Sequence, residues 1–487
     1  MSPLTSETTI MSKVAELFQA ASIRRLTSLV TRTHSDRGKE RYRRAGITAS
    51  MSMLSQGLAI LMSLISVPLT VHYLGAERYG VWLTISSLLT WIAMTDFGLA
   101  GNALVNLVAE ANGNDDRRQA QEYVASAFWA LTAITLGVAV VFVVAFSHIP
   151  WRLVFRISSS MSTDELHQTC ALTMAVFVLG FPLNMLNSIY TGYQDGFVAN
   201  VWTIAGNLVA LISLIVVTQM RGGLPFLVLA LSGTRVLVAF ASGSYLFYRR
   251  YPWLKPWPSA ASWHGLKRLS RLGSKYSVMQ LAALGIYQSQ PLIITQLLGP
   301  SFVMIFVIAQ KVITLPHGLM FMATQPLFSA YAEANARSDW KWIRKTLRRS
   351  LLASIAVGCV LTTIVGLVAK LLIRSWAGPE AVPDTALVVW LCTYTLVATA
   401  TLSPAQMLNG LEAVGRPAAA LCVCAAVAIG LGILFVQKWG LSGLACAMTV
   451  GLVLAYCTVL AYEVRRVFNR HRVQPATATA FPETLSA

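Results

Sequence analysis

The chain has 487 residues, 55% of them hydrophobic and only 12% charged, with a mean hydropathy of +0.60. A soluble domain carries about 25% charged residues, so this composition excludes an ordinary water-soluble enzyme and fits a polytopic membrane protein. The net charge of +18 calls for no nucleic acid, because basic loops facing an anionic leaflet account for it.

Residues 1–45 form a basic arm holding nine Lys and Arg. It lacks the apolar run and small-residue cleavage site of a signal peptide. Residues 10–30 are weakly amphipathic, and a cytoplasmic arm, surface-lying or disordered, is expected. Twelve apolar stretches follow, at 47–74, 79–106, 123–147, 169–193, 197–218, 225–248, 276–298, 302–328, 348–373, 385–408, 418–436 and 441–462. Each suits a hydrocarbon core of about 30 Å. Six make an N-lobe, 46–248, and six a C-lobe, 276–462. Between the lobes, 249–275 begins with Pro252, Pro256 and Pro258, which forbid helix continuation. It ends with Trp263, Leu266, Leu269 and Leu272 interleaved with Lys267, Arg268, Arg271 and Lys275. That pattern predicts an amphipathic linker helix lying in the cytoplasmic interface. Asp339 to Arg349, with Trp340 and Trp342, has the same character. Residues 463–487 form a cytoplasmic tail, of low complexity after Val473. The expected fold is all-α: about twelve transmembrane helices in two six-helix lobes.

The two lobes repeat each other. Pro68–Leu69, Leu74–Gly75 and Ala109-Glu110-Ala111-Asn112 recur as Pro291–Leu292, Leu298–Gly299 and Ala332-Glu333-Ala334-Asn335. Pro182 and Met185-Leu186-Asn187 recur as Pro404 and Met407-Leu408-Asn409. The order is kept at offsets of 222 to 224 residues. An even number of spans per copy brings both copies in from the same side, which makes a parallel repeat of the kind used by transporters.

Three features bear on function. First, prolines interrupt corresponding spans: Pro68 and Pro291, Pro182 and Pro404. Two readings stay open, a hinge or pathway and a static packing kink. Second, Arg235 lies about ten residues into the sixth span and Lys311 about nine into the eighth, each about 15 Å deep. Their positions in the opposite copy are Cys457 and Leu88. An ionisable group at that depth faces a cavity or a partner. Asp96 is nearer the cytoplasmic edge and reads either as a substrate contact or as an anchor for the end of its helix. Third, amides and hydroxyls cluster on the spans. Gln280, Tyr287, Gln288, Ser289, Gln290 and Gln296 lie on the seventh, Gln310 beside Lys311, Gln56, Ser63 and Ser66 on the first, and Asn184, Asn187 and Tyr190 on the fourth. Sugar contacts and interhelical hydrogen bonds both explain them.

No Gly-x-x-x-x-Gly-Lys-Ser/Thr loop is present, so ATP hydrolysis by this chain is not expected. His72 and His317 lack ligand-spaced neighbours, and Cys422 and Cys424 point to different helix faces, so neither a metal nor another cofactor is expected. The seven cysteines read as buried small apolar residues.

The stretch Pro68-Leu69, Leu74-Gly75-Ala76-Glu77-Arg78-Tyr79-Gly80-Val81-Trp82 and Asp96-Phe97-Gly98-Leu99, with Tyr190-Thr191-Gly192-Tyr193-Gln194, carries a family likeness. It resembles bacterial polysaccharide flippases of the O-antigen and exopolysaccharide type, of the multidrug/oligosaccharidyl-lipid/polysaccharide exporter superfamily. The likeness covers the first five spans, and the long basic arm departs from it. The resemblance implies a non-enzymatic inner-membrane flippase for an undecaprenyl-pyrophosphate-linked oligosaccharide, working by alternating access between V-shaped lobes. The substrate-binding set would be Arg235, Lys311, Asp96, Gln310, Tyr287, Gln288 and Asn187, and the hinges the four prolines. The partners would be the lipid-linked oligosaccharide, membrane lipids, a polysaccharide polymerase and glycosyltransferases, with the chain itself a monomer. Three other readings stay open: an ion-coupled drug or metabolite exporter of the same superfamily, a flippase for the peptidoglycan precursor, which usually carries fourteen helices where twelve are expected here, and a membrane-embedded polysaccharide polymerase or ligase.

Basic residues predict the orientation. Of 38 Lys and Arg, 29 fall on one side of a twelve-span layout and seven on the other, so the basic side and both termini are expected in the cytoplasm. Labelling of single cysteines placed at Arg117, Ser259 and Ser338 should report the cytoplasmic side, and at Ser159 and Pro379 the opposite side. A reversed result at Ser259 contradicts the parallel repeat.

Overall fold

The computed structural model describes residues 34–93, 96–156, 161–411 and 413–472. The weakly amphipathic stretch 10–30 and the low-complexity tail lie outside them. The described chain is helical throughout: α1 His34–Ala93, α2 Asn102–Gly113, α3 Arg117–Phe146, α4 Trp151–Phe155, α5 Thr163–Gly180, α6 Met185–Gly192, α7 Gly196–Gln219, α8 Leu224–Val228 and α9 Thr234–Tyr245. The second half continues with α10 Trp263–Tyr287, α11 Gln290–Leu297, α12 Pro300–Ile313, α13 Leu315–Thr324, α14 Leu327–Ala336, α15 Trp340–Ala377, α16 Thr385–Gly410, α17 Gly415–Gly451 and α18 Thr458–Arg472.

Among the described residues, eight helical runs are long and apolar enough to cross a bilayer. A ninth is the pair α12 and α13, bent by 43°. Two of the eight are too long for one crossing. Ser50–Ala93 has 44 residues and Gly415–Arg470 has 56, about 66 and about 84 Å at 1.5 Å per residue, against a core of about 30 Å. Each is two helices joined at a glycine, Gly75 (φ 75°, ψ 172°) and Gly440 (φ 60°, ψ −141°). The second joint is a reversal, for Arg416 and Glu463 on either side of it form an ion pair of 2.7 Å. The stretch expected at 276–298 is broken at Gln288–Ser289 between α10 and α11. The stretch expected at 79–106 is broken too, by a turn in which Phe97 and Gly98 have φ of 48° and 72°.

The linker differs from expectation. The amphipathic segment is no separate interface helix. It is the first half of α10, which runs unbroken into the seventh span. The leucines of its apolar stripe therefore pack on protein, with Leu269 buried and Leu266 and Leu272 against the same core as Leu104, Tyr123 and Leu254, while Trp263 at its start is exposed. A salt bridge from Arg268 to Glu110 (2.8 Å) fixes the register. Gly273 and Gly98 touch backbone to backbone, since a Cβ on either would come within 2.6 Å of a carbonyl oxygen of the other segment. At the two ends, helix extends past the expected bounds, into the arm from His34 and into the tail as far as Arg472.

The repeat is visible atom by atom. Gly75 and Gly299 occupy the same backbone region, with φ of 75° and 109° and ψ of 172° and 163°, which is essentially restricted to glycine. The Ala-Glu-Ala-Asn boxes build the same corner twice. Asp116 N–H donates to Ala111 and Asp339 N–H to Ala334, both at 2.9 Å. Asp115 and Ser338 take φ of 55° and 56°. Asp116 and Asp339 then cap α3 and α15 by accepting from Gln119 and Trp342 backbone N–H. Both corners lie at the end rich in Lys and Arg, as a parallel repeat requires.

The paired prolines do not behave as pairs. Pro182 sits in a 3₁₀ turn, Phe181–Asn184, whereas its counterpart Pro404 lies inside the unbroken α16. Pro291 follows the break at Gln288–Ser289, whereas Pro68 lies inside α1. Pro68 has no N–H to give the Leu64 carbonyl. The Trp376 indole N–H, from α15, donates to that carbonyl at 2.6 Å.

The apolar core is forked. One cluster joins both halves at the end opposite the basic loops, with Val67, Tyr79 and Phe155 packed beside Ile294, Val303 and Ile373. There Arg156 donates to the carbonyls of Gln296 (2.7 Å) and Leu297 (3.0 Å), the Gln296 amide donates back to the Val154 carbonyl, and Thr84 meets Thr295 at 2.7 Å. At the basic end two separate clusters replace it. One, around Tyr123, Tyr190 and Leu254, belongs to the first half and the linker, and the other, around Tyr331, Ile343 and Leu408, to the second half. The halves are thus closed together at one end and apart at the other.

Gly75→Ala and Gly299→Ala should each destabilise the protein by about 1–3 kcal/mol, because alanine is strained in that backbone region. Gly137→Ala and Gly430→Ala, at helical positions with open space around them, should be neutral or stabilising. Thermal unfolding in detergent checks the contrast.

Candidate functional site

The two cations that sequence depth placed at one level line one cavity. A space of about 210 Å³ is bounded by Ser63 and Ser66 of α1, Asn207 of α7, Leu231 and Arg235 of the α8–α9 run, and Lys311 of α12. Arg235 and Asn207 also line a second space of about 220 Å³ with Asn184, Asn187, Trp202 and Ser242. The two spaces form a polar tract that ends on cationic groups. Neither cation is buried against other side chains of the protein. Among the described residues neither makes an ion pair or hydrogen bond, and no carboxylate lines either space.

Local structure explains how each cation is presented. Leu229–Gly233 forms a π-turn directly before Arg235, a distortion that shifts the face on which following side chains emerge. The aliphatic stem of Arg235 passes Gly206 of α7, where a Cβ would lie 4.0 Å from its Cγ. Lys311 stands in the last turn of α12, just before the bend at Thr314 to Pro316. The free carbonyls of a helix C-terminus favour a cation there.

The other residues expected at the site are placed differently. Asn187 lines the second space with Arg235. Asp96 lines neither: its Oδ1 accepts from Gly98 N–H at 2.9 Å and closes the turn that breaks the second span. Gln310 donates to Gln290 at 3.1 Å, and Gln290, which is buried, donates to the Ile286 carbonyl at 2.6 Å. Tyr287 is bonded by the Tyr394 hydroxyl at 3.2 Å, and Gln288 caps α10 through its backbone. Gln310 and Tyr287 thus hold the broken seventh span to its neighbours, Gln288 closes the end of α10, and all three lie outside both spaces. Asn207, Trp202 and Ser242 line the tract without having been singled out. Asn207 had a legible signal, an amide within the apolar run Ile204 to Leu211. No group of three or more potential metal ligands occurs among the described residues.

Residues 48–332 match the profile of a family described as "Polysaccharide biosynthesis protein". A putative O-antigen transporter of Salmonella typhi is 20% identical over 318 residues, covering 63% of this chain and 70% of the relative. The inward-facing conformation of a multidrug resistance MATE family transporter superposes with a TM-score of 0.73 at 15% identity, over 88% of this chain and all of the other. The lipid II flippase MurJ, in its inward closed conformation, superposes with a TM-score of 0.64 at 16% identity, over 86% of this chain and 87% of MurJ. The family match spans more than half of the chain, and the structural likeness gives the fold. The chain therefore belongs to the polysaccharide biosynthesis protein family, as a multi-pass membrane protein with the transporter fold of the multidrug/oligosaccharidyl-lipid/polysaccharide superfamily.

Proposed function

We propose that this protein is a flippase that moves an undecaprenyl-pyrophosphate-linked oligosaccharide from the cytoplasmic to the outer leaflet of the inner membrane, for surface or exopolysaccharide synthesis. The observation that carries the reading is the cavity shared by Arg235 and Lys311. Two uncompensated cations within the membrane are costly unless an anion or water meets them. A lipid diphosphate supplies that anion, and a guanidinium suits its oxygens through paired hydrogen bonds. The adjoining amides, Asn184, Asn187 and Asn207, and the Trp202 ring offer contacts of the kind a first sugar would use. A cavity of this sign suits anions better than the cationic drugs an exporter would carry.

The forked core supports alternating access. With the basic end taken as cytoplasmic, the described state opens its cleft inward. Outward opening would break the contacts among Arg156, Gln296 and Leu297 and close the gap between the two basic-end clusters. The lipid tail would stay in the bilayer while the headgroup crosses. No step of this cycle makes or breaks a covalent bond, so the protein acts as a carrier and not as an enzyme. The polymerase and glycosyltransferases that use and make the substrate would be its functional neighbours.

Arg235→Ala and Lys311→Ala should each lower glycan export at least tenfold, the scale of one lost charge-assisted contact, with the protein inserted at normal abundance. Arg235→Lys should keep part of the activity if charge dominates and little if bidentate contact does. Surface glycan in a strain lacking the native gene, with expression followed by blot, checks all three. Full complementation by both alanine variants overturns the cationic-cavity reading.

A further inference from the structure

A second polar cavity, of about 460 Å³, opens on the basic face of the first half, away from the Arg235–Lys311 tract. Its back wall is aromatic. Tyr193 stacks on Tyr251 with ring centroids 4.3 Å apart, and Trp253 stands edge-on to Tyr251 at 5.4 Å. The wall is held from behind. The buried Asp195 carboxylate accepts from the Tyr251 hydroxyl at 2.6 Å and from Arg250 at 2.7 and 2.9 Å. Burial, then the Asp195 charge, pushes the Tyr251 phenol well above its ordinary range, so it remains a donor in that bond.

The rim is polar and unspent. Asn112, Asp115 and Arg117 are exposed there. Arg117 lies over the Trp253 ring at 4.5 Å. Among the described residues, the Asn112 amide and the Asp115 carboxylate make no side-chain hydrogen bond or ion pair. The Trp253 indole N–H is shielded from solvent beside the Tyr193 hydroxyl. In the second copy of the repeat the corner is the same, but Ser338 stands in place of Asp115. The corner backbone therefore does not require that carboxylate.

We infer that this cavity is a saccharide-binding site for an uncharged pyranose ring, set beside the Tyr193–Tyr251–Trp253 wall with its hydroxyls on Asn112, Asp115 and Arg117. The wall offers apolar contact to the C–H groups of a sugar, and amide, carboxylate and guanidinium together satisfy hydroxyls as donors and acceptors. Asp115 and Asp116 both line the space, and two carboxylates repel a phosphate, so the site suits the glycan end of a lipid-linked substrate and not its diphosphate. The volume has room for one or two sugar rings, within the range of small-ligand sites. The inference deepens the proposed function and rests on it only for what carries the sugar.

The test uses the full chain in lipid nanodiscs and saturation-transfer NMR with the methyl glycosides of glucose, galactose, mannose and N-acetylglucosamine. At least one should receive saturation from protein aromatic protons. Asn112→Ala and Asp115→Asn, exposed rim changes that leave the wall intact, should each weaken that binding about fivefold, the worth of one hydrogen bond. Arg235→Ala should leave it unchanged. No transfer to any of the four glycosides overturns the site, as does transfer that both rim variants retain in full or that Arg235→Ala removes. Export by the Arg235 and Lys311 variants is measured separately, so failure of the transport reading and failure of this site give different results.

Discussion

Hydrocarbon offers the peptide backbone no hydrogen-bonding partner, and this fold is arranged around that constraint. Helices satisfy most of the backbone within each segment. At three of its interruptions a side chain bonds a backbone group beside the break. Gln290 donates to the Ile286 carbonyl beside the break in the seventh span. The Asp96 carboxylate receives the Gly98 N–H in the break of the second. The Trp376 indole N–H donates to the Leu64 carbonyl left open by Pro68. Two of the three repairs, from Gln290 and Asp96, come from side chains that look, in the sequence, like candidates for chemistry. That is why several polar residues in the spans turn out to serve the backbone instead of the cavity.

The same distinction marks what was legible. The repeat could be read because its residues are dictated locally. Gly75 and Gly299 sit where only glycine is comfortable, and Asp116 and Asp339 cap the helices that follow their corners. The depth of Arg235 and Lys311 could be read from helical rise, although their meeting in one cavity depends on rotations and a π-turn that no local pattern specifies. The unequal behaviour of paired prolines could not be read at all. Pro68 stays within its helix, and the carbonyl it leaves open is bonded by a tryptophan 308 positions further along the chain. The linker was misplaced for a related reason: an apolar stripe on an amphipathic helix fits lipid and protein equally well, and here protein covers it.

Duplication supplied a scaffold, and the charge of the interior marks where the copies part. Corners and glycine joints are kept in both halves, while the positions of the two cations are occupied in the opposite copy by Cys457 and Leu88. The symmetric parts set where the halves touch and separate, and the asymmetric ones give the interior its charge. A symmetric pair of cations was not needed, because one from each half converges on the same space.

The unbroken α10 has a mechanical consequence. Its first half is fastened to the N-terminal bundle by Arg268 on Glu110, by Ser262 on Glu122 and by the Gly98–Gly273 crossing. Its second half lies against α17 of the other bundle, where a Cβ on Gly285 would come within 2.9 Å of Ala425. The covalent tether between the bundles is therefore a stiff rod of about 37 Å, with no slack to absorb movement. A rod gripped at both ends transmits rotation. Any tilt of one bundle against the other therefore has to be taken up beyond the far tip of the rod, where Tyr287 and Gln288 give way to α11 at the break in the seventh span.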